Sequence, residues 1–365
     1  MTGKKWFVTF LLLSLITVSL LGGAVFVVDP FFHYRAPREQ LFYLLGDQRS
    51  QNDGITKHFD YDAIITGTSM AENFRASQMD ELFGVNTIKV CYSGATNKEL
   101  NSNLEVAYNS GHSVKYVLRT IDYTMLATDK DEMRTDMGEF PVWLTNDNPF
   151  DDVKYLLNRD VVINYTLPCL WRFITGTPGG YTSFDEYSFT GNDNTFGALE
   201  ALGGRNSFEE PTEILPATNE ELELLAGNVS QNIVALAKEH PETTFLYFYP
   251  PYSLAYWGGI KEEGKTGKFM SFIKTATELM LECDNIHIYG FDMETGITGD
   301  LSNYRDAGHY SPEINAWILD TIAGEEKNEG AVSGAHRLTG ENYKEYLKEF
   351  ESYLEGYDYT TLLVE

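Results

Sequence analysis

A serine and a histidine–aspartate pair stand at positions where hydrolytic chemistry could arise. Ser69 follows a short β-rich run in the stretch IITGTSMAEN, at a Gly-Thr-Ser turn that precedes a helical pattern. Asp306 and His309 lie three residues apart in NYRDAGHYSPEIN, just before another helical pattern. An aspartate can orient an imidazole through Nδ1 and leave Nε2 to take a proton from a serine. Together the three residues could form a nucleophilic triad.

Each of these features also has a purely structural explanation. Gly-Thr-Ser before a helix is an N-cap pattern, because a hydroxyl oxygen there accepts a hydrogen bond from a free backbone amide. Asp306 and His309 could belong to a polar loop that caps the last helix. Ser69 alone favours capping, and the late Asp306–His309 pair shifts the interpretation toward catalysis. If a helix does start at Ser69, its unpaired amides could stabilise an oxyanion.

Strands and helices alternate along most of the chain. The β-rich runs lie at 61–66, 87–91, 115–121, 244–249 and 285–289. Helical patterns occupy about 70–83, 220–240 and 267–283, and the stretch SGATNKELNSNLEVAYNSG at 93–111 predicts a turn and a helix. Alternation at this spacing predicts an α/β fold with a parallel sheet and right-handed crossovers. Side chains that follow the strands would then gather at the carboxyl edge of the sheet, where ligand sites of α/β folds form.

Four regions follow from this pattern. We expect a cytoplasmic N-terminus with a transmembrane anchor at 1–28, a juxtamembrane collar and linker at 29–59, an α/β domain at 60–325, and a C-terminal linker and helix at 326–365. Alternation stops at about 123–216, a segment rich in Asp, Asn, Gly, Thr and aromatic residues. We expect this segment to be an insertion of helices and loops over the carboxyl edge of the sheet.

The N-terminal segment is long and apolar enough to cross a membrane. Trp6 to Val28 contains no charged residue, and its 23 residues would span roughly 30 Å of hydrocarbon as a helix. Lys4 and Lys5 predict a cytoplasmic N-terminus, with the rest of this single-pass chain outside the cell. A cleaved signal peptide is the alternative, although this run exceeds the roughly 7–15 apolar residues of such peptides. The aromatic stretch DPFFHYRAP at 29–37 predicts a collar at the membrane–water boundary.

The charge balance excludes one class of partner. With 27 Lys and Arg against 54 Asp and Glu, the formal net charge is −27, which argues against nucleic acid because phosphate binding needs clustered cations. Cys91, Cys169 and Cys283 show neither metal-ligand spacing nor a disulfide framework, so we expect buried thiols without chemistry. We assign no metal and no cofactor.

These motifs together resemble the SGNH (GDSL-like) hydrolase superfamily. GTSM at Ser69 is similar to its first block, with threonine in place of the usual aspartate, and DAGH at Asp306 and His309 is similar to its last block. Gly94 in CYSGAT matches the glycine of the second block, whose amide joins the oxyanion hole. The resemblance covers about 61–323 and implies a flavodoxin-like α/β/α fold of three layers and a Ser69–His309–Asp306 triad.

The third block departs from the family pattern. The family has a Gly-x-Asn there, whereas this chain has LRTIDYTML with Asp122 after the third strand. An ionised aspartate only accepts hydrogen bonds, so it cannot replace an asparagine donor. Either Arg119, Asn97 or Asn73 donates, or the oxyanion hole relies on backbone amides. Asp122 could instead hold a substrate hydroxyl or amine, or belong to a structural turn.

The overall layout resembles membrane-anchored DltD-type and alginate O-acetylation proteins. That resemblance implies transfer of an acetyl or D-alanyl group on or off a cell-surface polysaccharide or teichoic acid, with a polytopic membrane O-acyltransferase (MBOAT) as partner. A polyanionic teichoic acid would be repelled by the acidic chain, whereas a neutral polysaccharide could stack on aromatic side chains. The candidates for stacking are Tyr181, Phe184, Tyr187, Phe189 and Trp257. The sequence predicts an extracytoplasmic serine esterase or O-acyltransferase, and the alternative is a non-catalytic scaffold that binds polymer or assists the acyltransferase.

Overall fold

The centre of the protein is a six-stranded sheet whose order is β2-β1-β3-β4-β5-β6 in a computed structural model. The structure describes residues 2–136, 140–146, 148–179, 183–188, 195–327 and 336–363. The strands are β1 (Ala63–Thr66), β2 (Thr87–Lys89), β3 (Tyr116–Thr120), β4 (Thr244–Tyr249), β5 (Ile286–Gly290) and β6 (Arg337–Leu338). The first five are parallel, and only β6 pairs antiparallel, with β5. The predicted α/β class with a parallel sheet is confirmed.

Fourteen α-helices accompany the sheet in the described ranges. They are α1 (Gly3–Val28), α2 (Gln48–His58), α3 (Ala76–Phe83), α4 (Asn97–Asn109), α5 (Val153–Leu156), α6 (Leu167–Thr175), α7 (Ala198–Leu202), α8 (Asn219–Val229), α9 (Ala235–Glu239), α10 (Leu254–Glu262), α11 (Thr266–Met280), α12 (Thr295–Thr298), α13 (Pro312–Lys327) and α14 (Tyr343–Gly356). π-helical turns at Val161–Thr166 and Ser230–Val234 lead into α6 and α9. The tail helix predicted from NYKEYLKEFESYLEGY is α14.

The strand order determines which helices share a face of the sheet. The chain moves from β1 outward to β2 and then returns through β3 toward β5, so right-handed crossovers put α3 on one face and α4, α8 and α11 on the other. The helix contacts agree with this division, since α3 packs on α13 whereas α11 packs on α8 and α14. Order 2-1-3-4-5 also brings the ends of β1 and β3 side by side, where the direction of winding reverses.

The N-terminal helix α1 leaves the domain as a largely exposed apolar rod. It is the one helix of the described residues that is long and apolar enough to cross a membrane. Only its last turns are covered by protein, because Val25 and Val28 are fully buried. A Cβ on Gly22 would approach the Leu157 side chain at 3.3 Å, so the segment that contains α5 lies directly against the end of α1.

The region after α1 differs from the collar and linker expected at 29–59. Phe31 and Phe32 are buried in the protein, and α2 occupies much of the supposed linker. The Asp29 carboxylate organises this turn by accepting hydrogen bonds from the amides of His33, Tyr34 and Arg35. The sequence suggested a collar because aromatic residues follow an apolar run, but their rings pack inward.

Part of the expected insertion also lies elsewhere than predicted. α5 and the π-helical turn at Val161–Thr166 contact α1, instead of covering the carboxyl edge of the sheet. A small apolar cluster joins them to the end of α1 through Val25, Phe31, Tyr155 and Val161. All three cysteines are buried free thiols, as expected.

Candidate active site

Ser69 lies in a tight turn at the carboxyl end of β1. Gly67 has a φ of +142°, and a Cβ there would approach Thr120 Oγ1 at 2.5 Å, so this position favours glycine on both counts. Thr68 provides the cap, because its Oγ1 accepts a hydrogen bond from the Met70 amide. The capping hydroxyl is therefore the one before the candidate nucleophile, and the Ser69 hydroxyl stays available.

The helix expected over 70–83 does not begin at Ser69. A short 3₁₀ turn covers Ser69–Ala71, and α3 starts only at Ala76. In a continuous helix the carbonyls of this stretch would accept hydrogen bonds from amides of the same helix. Here they accept from side chains instead. The Met70 carbonyl accepts from Asn315 Nδ2 at 3.0 Å, and the Glu72 and Phe74 carbonyls accept from Lys89 Nζ at 2.6 and 2.9 Å. The predicted helix dipole at Ser69 is thus replaced by a single turn.

Asp306 and His309 lie in a closed loop between Leu301–Asn303 and α13. Tyr304 and Tyr310 form an antiparallel bridge across the loop, and the Arg305 amide donates to the His309 carbonyl at 3.0 Å. Asp306 caps the turn, because its Oδ1 accepts from the amides of Gly308 and His309 at 2.9 and 2.8 Å. The Asp306 carboxylate therefore shapes the loop and faces the imidazole at the same time.

The two loops bring three polar side chains into one hydrogen-bonded chain. Ser69 Oγ lies 2.7 Å from His309 Nε2, and His309 Nδ1 lies 2.8 Å from Asp306 Oδ2. Burial raises the pKa of Asp306, but hydrogen bonds from the ring and amide of His309 outweigh that effect and lower the pKa to about 2. Asp306 is thus ionised at neutral pH, which favours a proton on Nδ1 and leaves Nε2 as an acceptor for the serine hydroxyl.

Buried side chains fix the distance between the two loops. Asn315, at the start of α13, donates to the Met70 carbonyl, and the Tyr310 hydroxyl donates to the same oxygen at 3.4 Å. Both residues are almost fully buried. They attach the histidine loop to the turn beside Ser69, so they position the pair without touching it.

A pocket of about 280 Å³ opens beside this chain. Gly94 lines it with a φ of +60°, and its carbonyl accepts from Arg134 at 2.9 Å. Within the described ranges, the amides of Ser69 and Gly94 donate no hydrogen bond to the protein. Two amides beside a nucleophile can stabilise a developing oxyanion, provided that they converge on the carbonyl oxygen.

Asp122 lines the pocket but is already engaged. Its Oδ2 accepts from Thr68 Oγ1 at 2.8 Å and from Thr120 Oγ1 at 3.1 Å, and its Oδ1 accepts from the Tyr252 hydroxyl at 2.6 Å. The side chain is buried. Through Thr68 the carboxylate supports the turn that carries Ser69, and a direct contact of Asp122 with substrate stays a prediction.

The other candidates for an oxyanion donor lie outside the lining of this pocket. Asn97 donates to the Met125 carbonyl at 3.0 Å and accepts from Arg119 at 2.7 Å. Arg119 is fully buried and also donates to the Asn232 carbonyl at 2.9 Å. Neither these two residues nor Asn73 lines the pocket. The sequence could place them near strand ends but could not show which way their side chains point.

Two tyrosines of the pocket were missed by sequence reasoning. Tyr252 and Tyr256 follow β4 in the stretch YPPYSLAYW, with Tyr252 just before α10 and Tyr256 in its first turn. The Tyr256 hydroxyl is buried and has no hydrogen-bond partner within the described part of the chain. Their position after β4 could have identified them, because the carboxyl ends of all parallel strands lie at the same edge of the sheet as Ser69.

Three of the five aromatic residues proposed for sugar stacking lie in the described part of the chain, and all three are buried or partly buried. Tyr187 is fully buried and bonds Asn52, and Trp257 is also buried. Phe184 is partly buried against the main core. Tyr181 and Phe189 lie outside the described residues. Core packing therefore accounts for Tyr187 and Trp257.

Comparisons with known proteins include a distant structural likeness. No protein-family model matches the chain, and no curated protein matches it. A solved structure from Streptococcus pneumonia, described as "a putative platelet activating factor", matches with a TM-score of 0.38 and 13% identity. The match covers 77% of this chain and 91% of that one. The α/β assignment rests on the strand order and register described above.

Proposed function

We propose that the protein is a membrane-anchored serine esterase or O-acyltransferase that works outside the cell. The observation that carries this proposal is the chain from Ser69 Oγ through His309 to the ionised Asp306, beside a pocket at the carboxyl edge of the sheet. The same arrangement of residues is what the resemblance to SGNH hydrolases implies.

Acyl transfer would proceed in two steps. Ser69 Oγ attacks the ester carbonyl while His309 Nε2 takes its proton, and Asp306 holds the ring and stabilises the imidazolium. The tetrahedral intermediate collapses, the alcohol leaves with the proton from His309, and an acyl-serine remains. Water or a sugar hydroxyl then attacks the acyl-serine with His309 again as base, which restores Ser69.

The oxyanion of each step needs donors that replace the missing asparagine. The amides of Ser69 and Gly94 are free of other partners within the described ranges, and Tyr256, whose buried hydroxyl has no partner there, lines the same pocket. A buried hydroxyl without a partner is costly, so a ligand atom that accepts from it would remove that cost. Tyr256 is our candidate for the side-chain donor.

The acceptor is proposed from charge and location. A chain with a net charge of −27 favours a neutral cell-surface polysaccharide over a polyanionic teichoic acid. An acetyl ester of such a polymer is the substrate we favour over a D-alanyl ester. A polytopic membrane O-acyltransferase would supply the acyl group, and the anchor would keep Ser69 at high effective concentration near it.

Turnover of a small acetyl ester tests this function. We expect the purified full-length chain in detergent to hydrolyse p-nitrophenyl acetate, and Ser69→Ala to lower kcat by about 10³-fold or more because the nucleophile is lost.

The same assay tests the residues around the nucleophile. Asp306→Asn should lower kcat by about 10²–10⁴-fold, since an amide no longer favours a proton on His309 Nδ1. Tyr256→Phe should lower kcat by about 10-fold or more without lowering the thermal midpoint, because the hydroxyl that is lost is buried without a partner.

Ser77→Ala is the matched control. Ser77 Oγ donates to Asp185 at 2.6 Å, so it is a serine beside a carboxylate without an imidazole. Its replacement should leave turnover unchanged. Turnover that is absent, or equal in Ser69→Ala and the wild-type chain, contradicts the proposal and leaves the scaffold alternative.

A further inference from the structure

An exposed apolar stripe runs along the helical segment that follows α5. The π-helical turn at Val161–Thr166 continues into α6, and four large apolar side chains recur on it at intervals of four, four and three residues. Their exposed fractions are 49% for Ile163, 48% for Leu167, 68% for Trp171 and 75% for Ile174. This spacing places them on one face of a helix. Phe173 is also half exposed.

The opposite face of this segment is attached to the protein. Val161, Thr166 and Cys169 are buried, and Val161 belongs to the cluster that includes Val25 of α1. The segment therefore has two apolar faces. One packs against the protein, and the other is turned outward. Soluble proteins seldom leave a row of large apolar side chains exposed to water without a partner.

The position of the segment relative to α1 sets its level in a membrane. A helix needs about 20 residues to cross the hydrocarbon core, so a span that begins at Trp6 ends near Val25. The contacts of α5 and the π-helical turn with α1 include Gly22 and Val25, in the last two turns of that helix. The segment therefore lies at the level where α1 leaves the outer leaflet.

The charges of the segment differ from those of the chain as a whole. Val153–Thr175 carries Lys154, Arg159 and Arg172 against Asp160 alone, whereas the whole chain has 54 acidic and 27 basic residues. Asp151 and Asp152 precede the segment, but Asp151 accepts a hydrogen bond from Asn146, and Asp152 is bound to His33 and Tyr34. A local cationic excess beside an apolar face is typical of helices that lie in the lipid interface, where cations contact phosphate groups.

We propose that Val153–Thr175 is a second membrane contact, which lies in the headgroup–acyl boundary of the outer leaflet. The stripe of Ile163, Leu167, Trp171 and Ile174 inserts among the acyl chains, and the exposed side chains of Lys154 and Arg159 reach the lipid phosphates. A transmembrane helix alone lets the attached domain tilt and rotate. Two contacts of one rigid domain fix its orientation, and hence the height at which the Ser69 pocket faces its substrate. The proposal depends on α1 as a membrane helix and not on catalysis.

Spin labels in lipid nanodiscs measure the depth directly. Full-length Leu167→Cys and Ile174→Cys are labelled with a nitroxide and placed in nanodiscs of phosphatidylcholine and phosphatidylglycerol. Leu199→Cys and Ile214→Cys are matched controls, because the native side chains are 70% and 68% exposed outside this segment. The wild-type chain gives the background of the three buried cysteines. Collisions with oxygen report lipid, and collisions with a water-soluble nickel chelate report solvent.

We expect the ratio of oxygen to nickel collisions to be several-fold higher at 167 and 174 than at 199 and 214. Trp171 should be quenched by lipids brominated near the headgroup, measured as the difference between the wild-type chain and Trp171→Phe. Equal ratios at all four positions, together with no loss of quenching in Trp171→Phe, would overturn the proposal.

Discussion

Asp122 gives the turn at Ser69 a buried anionic support. Its two oxygens accept hydrogen bonds from Thr68, Thr120 and Tyr252, which come from the ends of β1, β3 and β4. The carboxylate thus joins three strand ends around the pocket. An asparagine could not replace it without turning donors toward hydroxyl groups that already donate.

Replacing Asp122 by alanine should therefore destabilise the fold. We expect Asp122→Ala to lower the free energy of unfolding by about 2 kcal/mol or more, because three hydroxyl groups lose a charged acceptor. Chemical denaturation of the full-length chain in detergent measures this difference. Asp284→Ala, an exposed acid, should change the same quantity by less than about 0.5 kcal/mol. Equal stability of both variants would contradict the stabilising role assigned to Asp122.

Residue types alone predicted the members of the serine–histidine–aspartate chain but not its surroundings. Ser69, Asp306 and His309 have distinctive types at strand and helix boundaries, so a sequence pattern can single them out. Asn97 and Asp122 carry ordinary polar side chains, whose partners depend on contacts far away along the chain. The Tyr256 hydroxyl attracted no attention because tyrosines are frequent in this sequence, which has 23 of them.

At the scale of elements, the carboxyl end of β5 is tied to α14 through Asp292. Asp292 is buried and accepts hydrogen bonds from the hydroxyl groups of Tyr123 and Tyr346. Burial raises the pKa of Asp292 to about 7, although the two tyrosine donors oppose part of this shift. Below about pH 7 the folded state therefore holds Asp292 mainly as the protonated acid.

The raised pKa predicts a pH dependence of stability with a definite sign. Stabilisation by protonated Asp292 is fully present below the unfolded pKa of about 3.9 and is lost as pH rises through about 7. We expect Asp292→Asn to remove this loss, so its free energy of unfolding should fall less than that of the wild-type chain between pH 5 and pH 8. The difference is at most a few kcal/mol, at about 1.4 kcal/mol per pKa unit. Identical slopes for both chains would contradict this assignment.

The bounds of elements with a strong local pattern were predicted well. The bounds of elements whose backbone bonds to side chains far away in the sequence were not. β4 covers the same residues as the β-rich run at 244–249, because its aromatic side chains define the strand locally. The expected helix over 70–83 breaks because Lys89 and Asn315 bind its first carbonyls. β6 has only two residues, too few for a sequence pattern, and it forms a strand because it pairs with β5.

At the scale of the whole molecule, α1 is both a candidate anchor and part of the fold. Val25 and Val28 are fully buried, and the Tyr155 hydroxyl donates to Asp29 at 3.0 Å just beyond the helix. Cleavage after Val28 would take the two valine side chains out of the core, so we expect this end of α1 to stay with the domain.

Two truncations separate anchoring from packing. Deletion of residues 2–28 should lower the free energy of unfolding by about 3 kcal/mol or more, since two valines leave the core. Deletion of residues 2–21 removes most of the apolar helix but keeps Val25 and Val28, so it should retain most of the stability. Thermal and chemical unfolding of both soluble chains measures the difference. If both deletions unfold alike, the end of α1 contributes nothing to the fold.

The most direct test of the central claim is the reaction of Ser69 with a fluorophosphonate. The account predicts one covalent adduct per chain, mapped by mass spectrometry to the peptide that contains Ser69 and lost in both Ser69→Ala and His309→Gln. Ser302→Ala should keep the adduct, because Ser302 Oγ donates only to Asp300, at 2.6 Å, and faces no imidazole. No adduct on the wild-type chain, or an adduct that persists in Ser69→Ala, would contradict the account.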